Sequence, residues 1–235
     1  MLGVIYFGYD PTYWMVIVGM IISMLASAKV KSAFNKYSKV RSMSGMTGAQ
    51  VAERILNSQG IYDVSVQRVE GSLTDHYNPS TKVVNLSETV YSSTSVAAIG
   101  VAAHECGHAI QHAKGYVPLS LRTAIVPVAN ISSKIAWPLL FVGLLINSRS
   151  SMTFIYAGII CFSLALIFQI VTLPVEFNAS ARALKLLTSN GILSDDEVGK
   201  TRKVLTAAAL TYVAAVAASI LQLLRILAIF GGRRD

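Results

Sequence analysis

Apolar residues run together in this chain for longer than one face of an amphipathic helix requires. Residues 13–28, 152–175 and 204–230 are each predominantly apolar, and the second carries no charge. About 20 apolar residues in helical form cross the ~30 Å hydrocarbon core of a bilayer, so these stretches predict three membrane-spanning helices. Residues 125–146 predict a fourth, with Lys134 inside it and Pro118, Pro127 and Pro138 in or near it. The prolines point to a kinked or partly interfacial helix, and Lys134 lies within snorkelling reach of the headgroups.

Between the spans the patterns are shorter. Thr47, Gly48, Ala49 and Gln50 form a capping box opening a helix through Val51, Ile55 and Leu56, with Gly60 placed to end it. Val64 and Val66, then Val83, Val84 and Leu86, lie in segments broken by Gly71 and by Asn78, Pro79 and Ser80. That predicts two or three small strands with one tight turn. Ser95 as N-cap and Gly115 as stop bound a helix over residues 95–114. After the third span the helical pattern continues through Ala179, Ala183, Leu184 and Leu187 to Gly191. Ser194, Asp195, Asp196 and Glu197 make a second capping box, opening a helix that runs on into the last span.

Composition agrees with the spans: 53% of the 235 residues are hydrophobic, 14% are charged, and the mean hydropathy is +0.55. Those values exclude an ordinary soluble domain. Ala26, Ser27 and Ala28 resemble a signal cleavage site, but no Lys or Arg precedes the first apolar stretch, so it is read as a retained span. Residues 29–122 carry ten Lys and Arg and residues 176–205 carry five, against Arg149, Arg233 and Arg234 in the remaining loop and tail. Positive charge is retained on the cytoplasmic side, which places both larger loops there and both termini outside. The net charge of +8 therefore reads as topology and attraction to anionic lipid; nucleic acid is not an expected partner. Cys106 and Cys161 make no disulfide framework. No internal repeat or low-complexity tract is present.

The chemistry lies in His104, Glu105, Cys106, Gly107 and His108, within the helix over 95–114. Helical residues four apart share a face, so His104 and His108 can turn two imidazole nitrogens to one point. A zinc ion with Zn–N bonds of about 2.0–2.1 Å fits that point, and Glu105 flanks it as a general base for water. The spacing is H-E-x-x-H. The bland alternative is a pair of core histidines bonded to backbone or water.

A catalytic zinc needs a third protein ligand and an open position. His112 lies about 12 Å from His104 along the same helix, too far to share one ion, and is read as a group supporting a ligand from behind, as part of the substrate cleft, or as a solvated side chain. Glu176 follows directly on the uncharged third span, where an idle carboxylate would be costly. Two spans intervene between His104 and Glu176, so both return to the same side of the membrane. Glu176 is therefore the expected third ligand, the alternative being an interfacial carboxylate paired with Arg182 or Lys185. Asp195, Asp196 and Glu197 are weaker rivals, since a helix N-terminus already explains them.

HECGHAIQH from His104 and EFNAS from Glu176, in a multi-span chain, resemble the YugP-type bacterial membrane zinc metallopeptidases and, more distantly, HtpX-type membrane proteases. Tyr9 to Pro11, Asp75 to Pro79 and Val204 to Tyr212 resemble that group too, so the likeness covers nearly the whole chain. It implies a peptidase in which His104, His108 and Glu176 hold zinc and Glu105 is the base. In related membrane proteases an acidic residue often stands four places after the ligand glutamate and orients a zinc histidine; here that place is Ser180, with Asn178 as another partner. Related proteases also pair extended substrate with an edge strand beside the zinc helix, which gives His76 or Tyr77 a role at the oxyanion. A solvated turn-side histidine is the simpler reading of His76. Arg182 is read either as an oxyanion or carboxylate partner or as a lipid-facing charge.

The sequence thus predicts a mainly α-helical multi-pass membrane protein with four transmembrane helices and a small zincin-like α+β cytoplasmic region. Residues 1–30 are the first transmembrane helix, 31–122 the zincin-like region, 123–175 the second and third transmembrane helices, 176–203 cytoplasmic helices bearing the third ligand, and 204–235 the last transmembrane helix and tail. The expected function is Zn2+-dependent hydrolysis of peptide bonds in membrane-associated or misfolded polypeptides. The rival from another class is a non-enzymatic transporter or metal-binding scaffold.

Overall fold

The computed structural model describes residues 11–146 and 150–231; Tyr9 and Asp10 of the first family-like string, and Arg149, Arg233 and Arg234 of the charge count, lie outside them. Four helices among the described residues are long and apolar enough to cross a membrane. They are α1 (Tyr13–Tyr37), α5 (Val117–Leu145), α6 (Ser151–Ser189) and α7 (Asp195–Gly231). Each extends beyond the apolar stretch that predicted it, because the polar residues at its end remain good helix formers with a tertiary surface to pack on. Pro118 stands in the first turn of α5, where its missing N–H costs nothing, whereas Pro127 and Pro138 lie inside the helix. Lys134 is exposed.

The shorter elements are α2 (Gly48–Ser58), β1 (Ser65–Val69), β2 (His76–Asn78), β3 (Val83–Ser87), α3 (Glu88–Tyr91) and α4 (Val96–Ala113). Both halves of the Thr47 capping box form: the hydroxyl accepts from the Gln50 amide, and the Gln50 side chain accepts from the Thr47 amide. Ser95 caps α4 by accepting from the Ala98 amide at 3.2 Å. Gly60 and Gly115 stop α2 and α4 at φ 70° and 59°, a conformation that costs glycine little. The box at α7 is only half formed, because the Ser194 amide and hydroxyl both donate to Glu197 Oε2. The other oxygen of Glu197 accepts from the Met43 amide at 2.7 Å, so this carboxylate ties two loops together as well as capping a helix.

The chain divides into two compact units. One gathers residues up to Leu25, Val126–Gln169 and the residues from Val213 on; the other is Ala26–Ile125 with Ile170–Tyr212. In the first, Leu140, Ile155, Ile226 and Phe230 form a buried cluster, and the Ser219 hydroxyl donates to Gln169 Oε1. In the second, the three strands run in the order β1-β3-β2, with β1 parallel to β3 and β2 antiparallel to it. The Asn78 side chain accepts from the Ser80 and Thr81 amides and so closes the β2–β3 turn. Val84 and Leu86 of β3 are fully buried, as are Val51 and Ile55 of α2 and Ile99 and Ala103 of α4. Each large aliphatic side chain so buried stabilises the unit by roughly 1.5–3 kcal/mol. α4 thus shares one buried core with the sheet and with Ala183 and Leu187 of α6.

Candidate metal centre

The second half of α4 lies closely against α6. Gly107 packs so tightly on α6 that a Cβ there would meet Ala179 O at 2.7 Å and Ala179 Cα at 3.0 Å. Since backbone cannot yield like a side-chain end, Gly107→Ala is expected to push α4 and α6 apart. Thermal unfolding with and without zinc should show a loss on the order of 1–3 kcal/mol and a smaller stabilisation by the metal. Cys106, the other free position of the motif, is fully buried with its sulfur near Ala52 O. Burial first, and then the charge of Glu105, push its thiol pKa far up, so it stays a protonated core residue.

The α4–α6 contact brings His104, His108 and Glu176 together, with one ligating atom from each within 4.8 Å of the others. Glu176 Oε2 stands 3.3 Å from His104 Nε2 and 3.6 Å from His108 Nε2. Both imidazoles are fixed from behind. His104 Nδ1 faces the Ser180 hydroxyl at 3.1 Å, and His108 Nδ1 donates to Gln111 Oε1 at 3.0 Å. Gln111, fully buried, in turn donates to Val175 O and to Asn178 Oδ1, and Arg182 Nε donates to that same Asn178 oxygen at 2.7 Å. With Nδ1 as the donor in each ring, both Nε2 atoms present lone pairs to a carboxylate oxygen.

That convergence is the test of metal fit. Glu176 is only 3% exposed, and its Oε2 is buried without a hydrogen-bond partner. An uncompensated buried carboxylate oxygen facing two imidazole lone pairs is unfavourable unless a cation or a proton joins them. Burial works against the charged form of His108, yet Glu176, Glu105 and Gln111 outweigh it and raise the pKa of this imidazole. A divalent ion supplies the same positive charge, and the N, N, O donor set suits zinc. The second oxygen of Glu176 accepts from Arg122 Nη1 at 3.3 Å, so the pairing expected with Arg182 or Lys185 as an alternative is made by Arg122 instead. Arg182 lies over the Tyr116 ring and on Asn178.

Glu105 is 8% exposed, and its Oε2 accepts from the Tyr77 amide at 3.0 Å. This contact crosses from the edge strand β2 to α4. The Tyr77 hydroxyl shares a 2.8 Å hydrogen bond with His112 Nδ1, which puts His112 at the strand and away from the three-residue cluster. Burial raises the pKa of the Tyr77 phenol. The His76 ring is engaged at both nitrogens, with Thr74 O at 2.8 Å and the Asn85 amide at 3.2 Å. Asp75 accepts from the Ser87 amide and hydroxyl; burial raises its pKa against those hydrogen bonds.

Three residues of the site carry no individual sign of their role in the sequence. Gln111 is inside the HECGHAIQH string, three residues after His108, and its full burial is the feature that periodicity could have flagged. Arg122 reads in the sequence only as one of the topology-setting charges, and Tyr212, which lines the cavity with Glu105 and Glu176, only as part of a family-like string. Gln111→Ala is expected to weaken zinc binding about 10–100-fold by freeing the His108 ring, a typical cost of losing such a support. A competition titration against a chelator measures it.

Among its described residues the chain thus presents four helices long and apolar enough to span a membrane and a His-His-Glu cluster able to hold a metal ion. Residues 12–231 match the model of the family described as "Putative neutral zinc metallopeptidase", and the chain belongs to that family. It is 51% identical over 222 residues, 94% of this chain and 97% of the relative, to the "Putative membrane protease YugP" of Bacillus subtilis (strain 168). No solved structure matches the chain. It is therefore a multi-pass membrane protein of a zinc peptidase family, with zinc as the cofactor.

Proposed function

We propose that the chain is a membrane metalloendopeptidase of the gluzincin type, with His104, His108 and Glu176 as the zinc ligands and Glu105 as the general base. The observation that carries this is the buried Glu176 Oε2, which accepts no hydrogen bond and is set against two imidazole Nε2 atoms beside a second held carboxylate, Glu105. Bound zinc would supply Lewis acidity, lowering the pKa of water and polarising the scissile carbonyl. The remaining work falls to side chains. Glu105 takes a proton from the attacking water and later delivers it to the departing amine. The Tyr77 amide holds one carboxylate oxygen of Glu105, leaving the other for the proton. Ser180 and Gln111 keep the imidazoles in the donor-at-Nδ1 form, and Arg122 offsets the charge of Glu176.

Substrate is read as extended polypeptide along the outer edge of β2, which pairs with β3 alone among the strands. Membrane-associated or misfolded proteins are the favoured substrates, because the ligand helix α6 is continuous with an uncharged apolar stretch. The distribution of Lys and Arg supports a cytoplasmic site with both termini outside.

Metal removal tests the reading. Dialysis against a chelator is expected to abolish cleavage of an unfolded protein substrate, and one equivalent of zinc to restore it. Cleavage that survives complete removal of the metal would overturn it.

A further inference from the structure

A cavity of ≈ 160 Å³ opens beside Glu105, His104 and Glu176. Its composition changes sharply away from those three residues. Val30 and Phe34 of α1, Val101 of α4, Leu205 and Ala208 of α7, and Leu73 of the β1–β2 loop make most of the rest of the wall hydrocarbon, with Ser180 and Tyr212 as its neutral polar residues. Asp75 is the one further carboxylate on it, and both of its oxygens are already bonded to Ser87. Apart from the catalytic carboxylate Glu105 and the zinc-facing Glu176, a basic side chain would therefore find no free counter-charge there, and an acidic or amide side chain would find only Ser180 and Tyr212 as side-chain donors. The volume is on the order of ten water-sized spheres, more than an alanine side chain fills.

Position decides what occupies it. General-base chemistry requires Glu105 within hydrogen-bond reach of the water that attacks the scissile carbonyl. The Cα next to that carbonyl is one bond further, so the adjoining side chain falls in the space that Glu105 and His104 already line. From this we infer that the cavity is the subsite for a large apolar side chain flanking the scissile bond, an inference that rests on the peptidase reading above. Leu73 forms its rim. Its φ of 59° lies in the left-handed region that leucine seldom adopts, and its side chain is 55% exposed while bordering the cavity.

The test uses the full-length, zinc-loaded protein in lipid vesicles and a peptide series that varies only the residues flanking the cleaved bond. A single methylene in an apolar pocket changes specificity by about 10-fold or more. Leucine and phenylalanine peptides are thus expected to exceed alanine peptides at least about 10-fold in kcat/KM, with aspartate and lysine peptides lowest. Ala208→Phe fills the cavity and should erase or reverse the leucine-over-alanine ratio. Leu73→Ser, at an exposed position that does not depend on core packing, should lower the ratio several-fold with zinc content unchanged. Cleavage indifferent to the flanking residue, or a preference that both variants leave intact, would overturn the subsite and leave the peptidase reading standing. No cleavage of any peptide by the zinc-loaded protein would remove that reading and the subsite with it.

Discussion

Glu105→Gln is expected to keep the zinc and lose the proteolysis. The amide has the shape of the carboxylate and can still accept from the Tyr77 N–H, the contact that holds this side chain in place. It cannot take up a proton. Positioned acid-base catalysis contributes about 10²–10⁴-fold to rate, so kcat should fall by at least 10² while metal stoichiometry and unfolding temperature stay at wild-type values. Steady-state cleavage of a quenched peptide, read beside metal analysis of the same sample, makes the comparison. A variant cutting within a few-fold of wild type would remove Glu105 from the reaction.

Glu176→Gln should fail in the opposite order, losing metal first and activity in consequence. The substitution leaves a neutral oxygen facing His104 and His108 and deprives Arg122 of its ion pair. Changes to groups that merely support a ligand cost about 10–100-fold in metal affinity, and loss of a ligand charge should exceed about 100-fold on that scale. Activity should return as free zinc is raised, which would not happen for Glu105→Gln. Wild-type zinc affinity in the Glu176 variant would show that this carboxylate serves only Arg122. The two variants together separate holding the metal from using it.

Features set by local physics are readable from the sequence. Apolar length gave the four spans, helical spacing put His104 and His108 on one face, and the capping residues at Thr47 and Ser95 marked where α2 and α4 begin. His112 was excluded as a ligand by helical rise alone, and in the structure it pairs with Tyr77. What stayed hidden depends on contacts between distant residues. The parallel pairing of β1 with β3 leaves no mark in the alternation of either strand, because register is fixed by burial against α2 and α4. Arg122 looks like any loop cation until the start of α5 is placed beside Glu176. Gln111 takes its meaning from Val175 and Asn178, more than sixty positions along the chain.

The expectation for the position four residues after Glu176 has a specific outcome. Where related proteases often carry an acid, Ser180 meets His104 through its hydroxyl, a neutral support in place of a charged one. Asn178 does not reach an imidazole directly; it accepts from Gln111, which does. The His108 side of the centre is thus oriented by a relay of amides anchored on Arg182.

The central claim is that one zinc ion sits among His104 Nε2, His108 Nε2 and Glu176 Oε2. Anomalous scattering on either side of the zinc absorption edge, from crystals of the metal-loaded protein, locates it directly. A single strong peak is expected at bonding distance, about 2.0–2.2 Å, from all three atoms. A peak bound elsewhere, or one touching the two histidines with the Glu176 carboxylate turned away, would contradict it.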